Sequence, residues 1–441
     1  MAMNTPIAPA SMYRDREGLG VWAHKGKVAA VGVGHSPTAR RWDGTAENCI
    51  GAWTIQAIRN AIADSGIDPS QIDGLVLDTT TTTGAHWPAG RPIPEDVVNA
   101  FKSTDDPLDG IAKLSAEWLI NNTPELTNVK FTMVGPVCMS NAINVAAQAV
   151  GDGLTTATLV IKAWHNLDGR YYQGGANAEP TISGNAKWDH WAGPASFGTA
   201  QQFQRYMFKY NKTHDMMAPF MINSRENGLR FPEGYWAQHR PEHLTHEDYV
   251  NARWVAKPAN LYDNDIPLMN ACAYIFTTAD RAKDLRQKPV YILNHAKNPD
   301  GTRSITPTLE ECEEATARTG RMLYEGAGIT AADLSFENMY DGFSLFHVFH
   351  LEGLRYAGIQ PGEALDFFAS QDISIDGPTP ISPSGGNIGS GRTRYWMHTD
   401  CIQQLQGRAG ERQIKKDVHI GVSGGPMPNG GWFTVWGSEP D

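Results

Sequence analysis

The chain is predicted to be an α/β protein, because short apolar strands alternate with amphipathic helices in the order that makes a mostly parallel, helix-covered sheet. Two further observations point to a duplicated architecture. At 441 residues the chain exceeds the roughly 250–300 at which a single hydrophobic core stops growing. The series of strands and helices also runs twice in the same order, from Lys27 and again from Lys288. Two similar βαβαβ-type halves are therefore expected.

The first series opens with the apolar strand Lys27–Gly34, closed by a turn. Its helix, Thr54–Ile62, carries Ile55, Ile58 and Ile62 at helical spacing and stops at Gly66. Strands follow at Ile72–Leu77, Val129–Val134 and Ala157–Ala163, with a helix from about Met139 to Val150 between the last two. The second series has a strand at Pro289–Leu293, a helix over Leu309–Glu325 and a strand at Leu334–Phe336. It continues with Pro380-Ile381, a long helix over Tyr395–Gln406, and closing strands at Asp417–Val422 and Trp432–Trp436. Between the two, about 165–265 breaks the alternation and is rich in Trp, Tyr, Phe, Met, Asn and Gly. Such an insertion is expected to be a lid or binding loop, or else a dimer-facing excursion whose aromatics pack. The predicted division is an N-terminal arm over 1–26, a first half over 27–287 that includes the insertion, and a second half over 288–441.

Composition narrows the function classes. A formal charge of −11 with no Lys/Arg cluster argues against nucleic acid or an anionic membrane as partner. Residues 1–23 lack a basic n-region with an apolar h-region, and no run of about 18 apolar residues occurs, so a cytoplasmic location is expected. Five scattered cysteines without CxxC or His/Cys spacing read as reduced thiols, with no metal site. The glycines of Gly32-Val33-Gly34 do not continue into a dinucleotide fingerprint, and no P-loop is present, so no separate cofactor is expected.

Two segments concentrate the chemistry: Glu337-Asn338-Met339-Tyr340-Asp341-Gly342-Phe343 and, about one βα unit later, Ser384-Gly385-Gly386-Asn387-Ile388-Gly389-Ser390-Gly391-Arg392. Each starts where a strand-like run gives way to a helix-like one, so both should meet at one rim of the sheet, where α/β enzymes hold ligands. Tyr340 can move protons only if a cation lowers its pKa from about 10, and Arg392, always charged, is the cation expected there. Asp341 reads equally as the N-cap of a helix over Gly342–Gly358 or as a group that orients Tyr340 or takes the proton itself. His347 and His350 lie i, i+3 on that helix with no third ligand in view, as expected of a hydrogen-bonded pair. His295 follows the strand Val290–Leu293 and stands either as a capping residue or as one that reaches the site, and His35 is expected at a surface turn.

Three stretches in one order carry a family resemblance: Val28-Ala29-Ala30-Val31-Gly32-Val33-Gly34-His35 with Ile72-Asp73-Gly74-Leu75-Val76, then Tyr210-Asn211-Lys212-Thr213-His214-Asp215-Met216-Met217-Ala218, then Gln403-Gln404-Leu405-Gln406-Gly407-Arg408-Ala409-Gly410-Glu411-Arg412-Gln413. From Lys27 to Gly437 the chain resembles the thiolase superfamily, in its sterol-carrier and lipid-transfer branch. The resemblance implies a thiolase-like fold with αβαβα layers, an acyl-CoA thioester as substrate, CoA as the only nucleotide, and a homodimer.

The chain departs from ordinary thiolases where they carry out acyl transfer. Such enzymes need a thiolate at a helix N-terminus, where the dipole lowers the thiol pKa. Counting back from Val150–Gly153 puts the nucleophile position on Pro136 and leaves Cys138 two residues late. Tyr340-Asp341-Gly342-Phe343 stands where the branch has histidine-aspartate-cysteine-phenylalanine, Gly391-Arg392-Thr393 where thiolases have glycine-histidine-proline, and Val422 where many have a second cysteine. In these respects the chain looks like the thiolase-fold aldolases of steroid side-chain degradation, although Arg392 stands where another tyrosine is expected. Those enzymes cleave a β-hydroxyacyl-CoA to a carbonyl compound and a shorter acyl-CoA without an acyl-enzyme, together with a small OB-fold partner. The implied assembly is a heterotetramer, and the implied acyl group is bulky, steroidal or aromatic. Tyr340 is then assigned to proton transfer and Arg392 to phenolate or enolate stabilisation, with oxyanion donors from the amides of Gly385-Gly386 and Gly424-Gly425. Two other readings stay open: an acyltransferase or atypical thiolase acting through Cys138, and a non-catalytic acyl-CoA or lipid carrier.

Overall fold

The computed structural model describes residues 14–78, 91–134, 138–164, 195–298, 308–425 and 431–441. Their strands are β1 (Val28–His35), β2 (Gly74–Asp78), β3 (Phe131–Val134), β4 (Ala157–Trp164), β5 (Trp254–Ala256), β6 (Ala259–Asn260), β7 (Asn270–Thr278), β8 (Val290–Lys297), β9 (Phe336–Met339), β10 (Ile420–Gly424) and β11 (Trp432–Gly437). Nine of them form one sheet in the order β3-β2-β4-β7-β1-β8-β11-β10-β9, while β5 and β6 make a separate ribbon.

The strand order is symmetric about the β1–β8 joint. Outward from that joint the first half reads β1-β7-β4-β2-β3 and the second β8-β11-β10-β9. A parallel bridge from Glu337 to Ile381 marks the place corresponding to β3, so the expected strand at Pro380-Ile381 is reduced to one bridge. In both halves an inner pair is parallel, β2 with β4 and β9 with β10. In both, the last strand in chain order, β7 or β11, inserts antiparallel to its two neighbours. The sheet is therefore mixed rather than mostly parallel. Strand β7 has no counterpart in the sequence reading, although its buried run Ala271-Cys272-Ala273-Tyr274-Ile275-Phe276 carries the signal of a central strand.

The helices fall into three layers around these strands. Ile50–Ser65 covers the outer face of the first half and ends at Gly66, whose left-handed φ of 69° closes the C-cap. A β-carbon at Gly32 or Gly34 would collide with the backbone of that helix, so this glycine pair serves close helix–strand packing rather than phosphate binding. Leu309–Ala327 and Ser344–Leu354 cover the outer face of the second half. Between the halves lie Met139–Gly151 and Trp396–Gln406, in one apolar cluster with Val76, Val160 and Phe276 on one side and Ile292, Phe336 and Trp436 on the other. Each such aliphatic or aromatic side chain contributes about 1.5–3 kcal/mol by leaving water. The layers thus run αβαβα.

Of the insertion, 165–194 lies outside the described residues, and the remainder is mostly helical, with Ala195–Tyr210, Ala218–Leu229, Tyr235–His239 and His246–Val250. Asp263 at its end accepts hydrogen bonds from Tyr249 (2.8 Å), Ser344 (2.6 Å) and the Asn260 amide (2.7 Å), and it pairs with His214 at 2.7 Å. That network fastens the insertion to the first turn of Ser344–Leu354, directly after the Tyr340 segment.

Candidate active site

The two chemistry-bearing segments are fastened together rung by rung. Glu337 accepts from the Ser382 amide at 2.9 Å, and Asn338 from the Ser384 amide at 3.1 Å. Asp341 accepts from the Asn387 amide at 2.6 Å and the Ile388 amide at 3.3 Å. Asp341 is therefore a helix cap, but of Gly386–Ser390 rather than of the helix that follows it in sequence. That helix starts at Ser344, later than expected, with Phe343 as its N-cap residue. Asn387, held by Asp341, in turn accepts from the amides of Thr393 (2.9 Å) and Arg394 (2.8 Å), and Arg394 takes the left-handed φ of 62° that turns the chain there.

These rungs bring Tyr340, Arg392 and Arg394 into one cluster with residues from the first half. The expected rim is buried: Tyr340, Asp341 and Arg392 are all enclosed. The Arg392 amide donates to the Ile266 carbonyl at 2.8 Å, and its Nε lies 3.6 Å from the Asp265 carboxylate. The guanidinium carbons of Arg392 and Arg394 each lie 5.1 Å from the Trp164 ring centroid, and Lys162 Nζ lies 4.3 Å from it. Lys162 pairs with Asp78 at 2.6 Å, and both are fully buried. Burial lowers the Lys162 titration, while Asp78 opposes the shift.

Tyr340 titrates above its ordinary value because burial disfavours the phenolate. Arg394 pulls back most strongly, ahead of Arg392, and its guanidinium lies 5.9 Å from the Tyr340 ring centroid. The expectation of a tyrosine lowered by Arg392 is therefore corrected on both counts. At neutral pH the group is a phenol, suited to giving a proton, and Arg394 is its leading cation. A β-carbon at Gly342 would collide with the Tyr340 hydroxyl, which accounts for the glycine there.

Residues 301–434 match the "Thiolase C-terminal domain-like" family. A solved structure, the Ltp2-ChsH2(DUF35) aldolase, superposes with a TM-score of 0.71 at 22% identity, over 93% of this chain and 98% of that one. The chain has the thiolase fold. Its sequence is similar to 17-hydroxy-3-oxo-4-pregnene-20-carboxyl-CoA lyase of Mycobacterium tuberculosis, 28% identical over 87% of this chain and 92% of the relative. It is also similar to a steroid side-chain-cleaving aldolase of Thermomonospora curvata, 25% identical over 82% and 86% of the two chains.

Within the thiolase fold, the remaining sequence-derived candidates separate. Cys138 does sit at the N-cap of Met139–Gly151, where a thiolase nucleophile would profit from the helix dipole. Burial and then the Asp78 carboxylate nevertheless push its thiol up to about 12, so no thiolate forms at neutral pH. His295 stands outside the cluster: it packs edge-on against Trp22 of the N-terminal arm at 5.0 Å, and burial followed by Arg14 and His24 pushes it down to about 3. Three of the four candidate glycine amides are also committed. Gly385 donates to the Ser382 carbonyl (2.8 Å), Gly386 to the Ser384 hydroxyl (3.0 Å) and Gly425 to the Trp432 carbonyl (2.8 Å), while the Gly424 carbonyl accepts from the Tyr340 amide (2.8 Å). A β-carbon at Gly386 would meet the Asp341 carboxylate, so this glycine is required by the rung itself.

The histidines are structural here. His347 donates from Nδ1 to the Met339 carbonyl (3.1 Å) and from Nε2 to Glu337 (3.0 Å). Burial, the largest influence, would lower its titration, but Glu337, Asp341 and the Met339 carbonyl together raise it. His350 donates from Nε2 to the Gly425 carbonyl at 2.6 Å and, pushed down to about 3 by burial, stays neutral. His35 is half-buried and stacks on Tyr395 at 5.5 Å instead of occupying a surface turn. Among the described residues no group of three His, Cys, Asp or Glu side chains is placed to hold a metal. Sequence reasoning missed Arg394, Asp265, Trp164 and the Lys162–Asp78 pair. A lysine inside the apolar run Leu159-Val160-Ile161-Lys162-Ala163-Trp164 was the available signal, since such a charge is kept only when paired.

Proposed function

We propose that this thiolase-fold chain is a carbon–carbon lyase that performs retro-aldol cleavage of a β-hydroxyacyl-CoA, without an acyl-enzyme. One observation carries this reading. Where the resemblance puts an acyl-transfer histidine stands the buried phenol Tyr340, with Arg394 and Arg392 acting on it, and Cys138, at the start of Met139–Gly151, has its thiol held protonated. In the reaction the β-hydroxyl loses its proton and becomes a carbonyl. The Cα–Cβ electron pair moves into the thioester as an enolate, and the α-carbon is then protonated. Tyr340 supplies that proton, and the guanidinium groups of Arg392 and Arg394 stabilise the enolate oxygen. Each such donor is typically worth about 10²–10³ in rate.

The relatives' names support a bulky steroid side-chain thioester as substrate. The superposed Ltp2-ChsH2(DUF35) aldolase supports a DUF35 partner for this chain; that this partner is a small OB-fold protein, joined to a homodimer of the chain as a heterotetramer, is what the family resemblance implies. The test substrate is 17-hydroxy-3-oxo-4-pregnene-20-carboxyl-CoA, which retro-aldol cleavage converts to a 17-keto steroid and propionyl-CoA. With the partner added, the wild-type chain is expected to release both products, and Tyr340→Phe to lose about 10²–10⁴ of kcat. Undiminished turnover in the phenylalanine variant would remove Tyr340 from the mechanism. No ketone from the wild-type assembly would overturn the lyase reading.

A further inference from the structure

Asp265 differs from every other buried carboxylate among the described residues. Neither of its oxygens has a hydrogen-bond partner. Asp263, two residues earlier, is held by four donors, and Asp341, Glu337 and Asp78 each hold amides or a lysine. The nearest cationic atom to Asp265 is Arg392 Nε at 3.6 Å, too long for a hydrogen bond. A buried acceptor without a donor costs about 1–3 kcal/mol, so a fold that satisfies Asp263 and leaves both Asp265 oxygens without a hydrogen-bond donor calls for a functional reason.

The backbone sets this residue between the two chemistry-bearing segments. The Asp265 amide donates to the Gly342 carbonyl at 3.2 Å, and the next residue's carbonyl receives the Arg392 amide at 2.8 Å. The charged and titratable groups that act on Asp265 or feel it are Arg392, Arg394, Tyr340 and Asp341. Asp341 is committed to its cap, and Tyr340 begins as a phenol. The cluster therefore has a proton donor in place but no assigned acceptor.

Resting on the retro-aldol reading, we infer that Asp265 is the general base of the reaction, taking the β-hydroxyl proton with Arg392 as its counter-ion. The step balances. The O–H proton goes to the Asp265 carboxylate as the Cα–Cβ bond breaks, its electron pair goes into the thioester enolate, and Tyr340 then protonates the α-carbon. Return of the proton from Asp265 to the Tyr340 phenolate restores the starting state, and no oxidant or co-reactant is needed. The two groups carry opposite protonation states before reaction, which is the usual mark of an acid–base pair.

Burial pushes the Asp265 carboxyl up to about 6 while the two arginines pull it down, so kcat/KM should fall on the acid side with an apparent pKa near that value. The experiment uses the complete assembly with its partner and the steroid thioester named above, over pH 5–9. Asp265→Asn is expected to lose about 10²–10⁴ of kcat/KM together with the acid limb. Arg392→Gln, which removes the counter-ion, is expected to move the limb to higher pH. Ketone release by Asp265→Asn within about threefold of wild type with the limb intact, or a limb unmoved in Arg392→Gln, would overturn the inference while leaving the lyase reading standing. Loss of ketone from the wild type would overturn both. Should Asp265→Asn fail to fold, the Arg392→Gln profile still decides.

Discussion

Tyr340 and Asp265 occupy the same enclosed cluster, and burial raises the titration of both, yet at neutral pH they stand in opposite protonation states. Burial keeps the phenol protonated and lifts the carboxyl to about 6, where it is still mostly ionised at neutral pH. The lift has a measurable consequence for stability. A carboxyl whose folded pKa exceeds its unfolded value of about 3.9 binds its proton more tightly in the folded state, so its contribution is full below about pH 4 and lost as pH rises through about 6. Urea unfolding of Asp265→Asn against wild type is therefore expected to shift in favour of the variant between about pH 4 and 7. An unchanged difference across that window would contradict the environment described for Asp265. That the Tyr340-Asp341 and Arg392 segments meet was legible in the sequence because each starts at the end of a strand-like run, although only Tyr340 and Asp341 directly follow a strand and Arg392 follows Gly386–Ser390. Asp265 and Arg394 were not, because a residue at the end of a long insertion and one on a left-handed turn carry no periodic signal.

At the scale of elements, the site is built by one segment capping another. Asp341 looked like a local cap because the residues after it read as helical, yet its carboxylate meets Asn387 and Ile388, 46 and 47 positions later. Capping across that separation depends on which strands are neighbours, which no window of sequence contains. Asn387 is the middle of the relay: it donates to Asp341 through its amide and side chain and accepts from Thr393 and Arg394. Asn387→Ala is expected to cost about 1–3 kcal/mol in denaturant unfolding, because it leaves buried amides without an acceptor. It should also lower kcat, because the turn that presents Arg392 and Arg394 loses its anchor. Stability and turnover both at wild-type values would show that the arginines are held some other way.

Across the whole molecule the two halves repeat strand order and orientation, with β1 and β8 paired at the centre. The duplication was legible because apolar runs recur in order. The mixed sheet was not, because strand direction is set by the antiparallel insertion of β7 and β11. The two central helices are linked by Ser140 with His398 (2.8 Å), and His398 is linked to Ser423 of β10 (2.6 Å). Titratable groups from both halves, Cys138, Lys162 and Tyr340 among them, thus gather around Arg394 where the shared helical layer begins. If the chain assembles as proposed, light scattering of the co-expressed pair should give two copies of each chain. A stable one-to-one complex would contradict that arrangement.

The most direct measurement follows the steroid thioester and the protein together, quantifying ketone and acyl-CoA by chromatography while intact mass reports on Cys138. The account predicts ketone and propionyl-CoA in equal amounts with the protein mass unchanged throughout turnover. A protein that gains an acyl group on Cys138 and releases no ketone would contradict it.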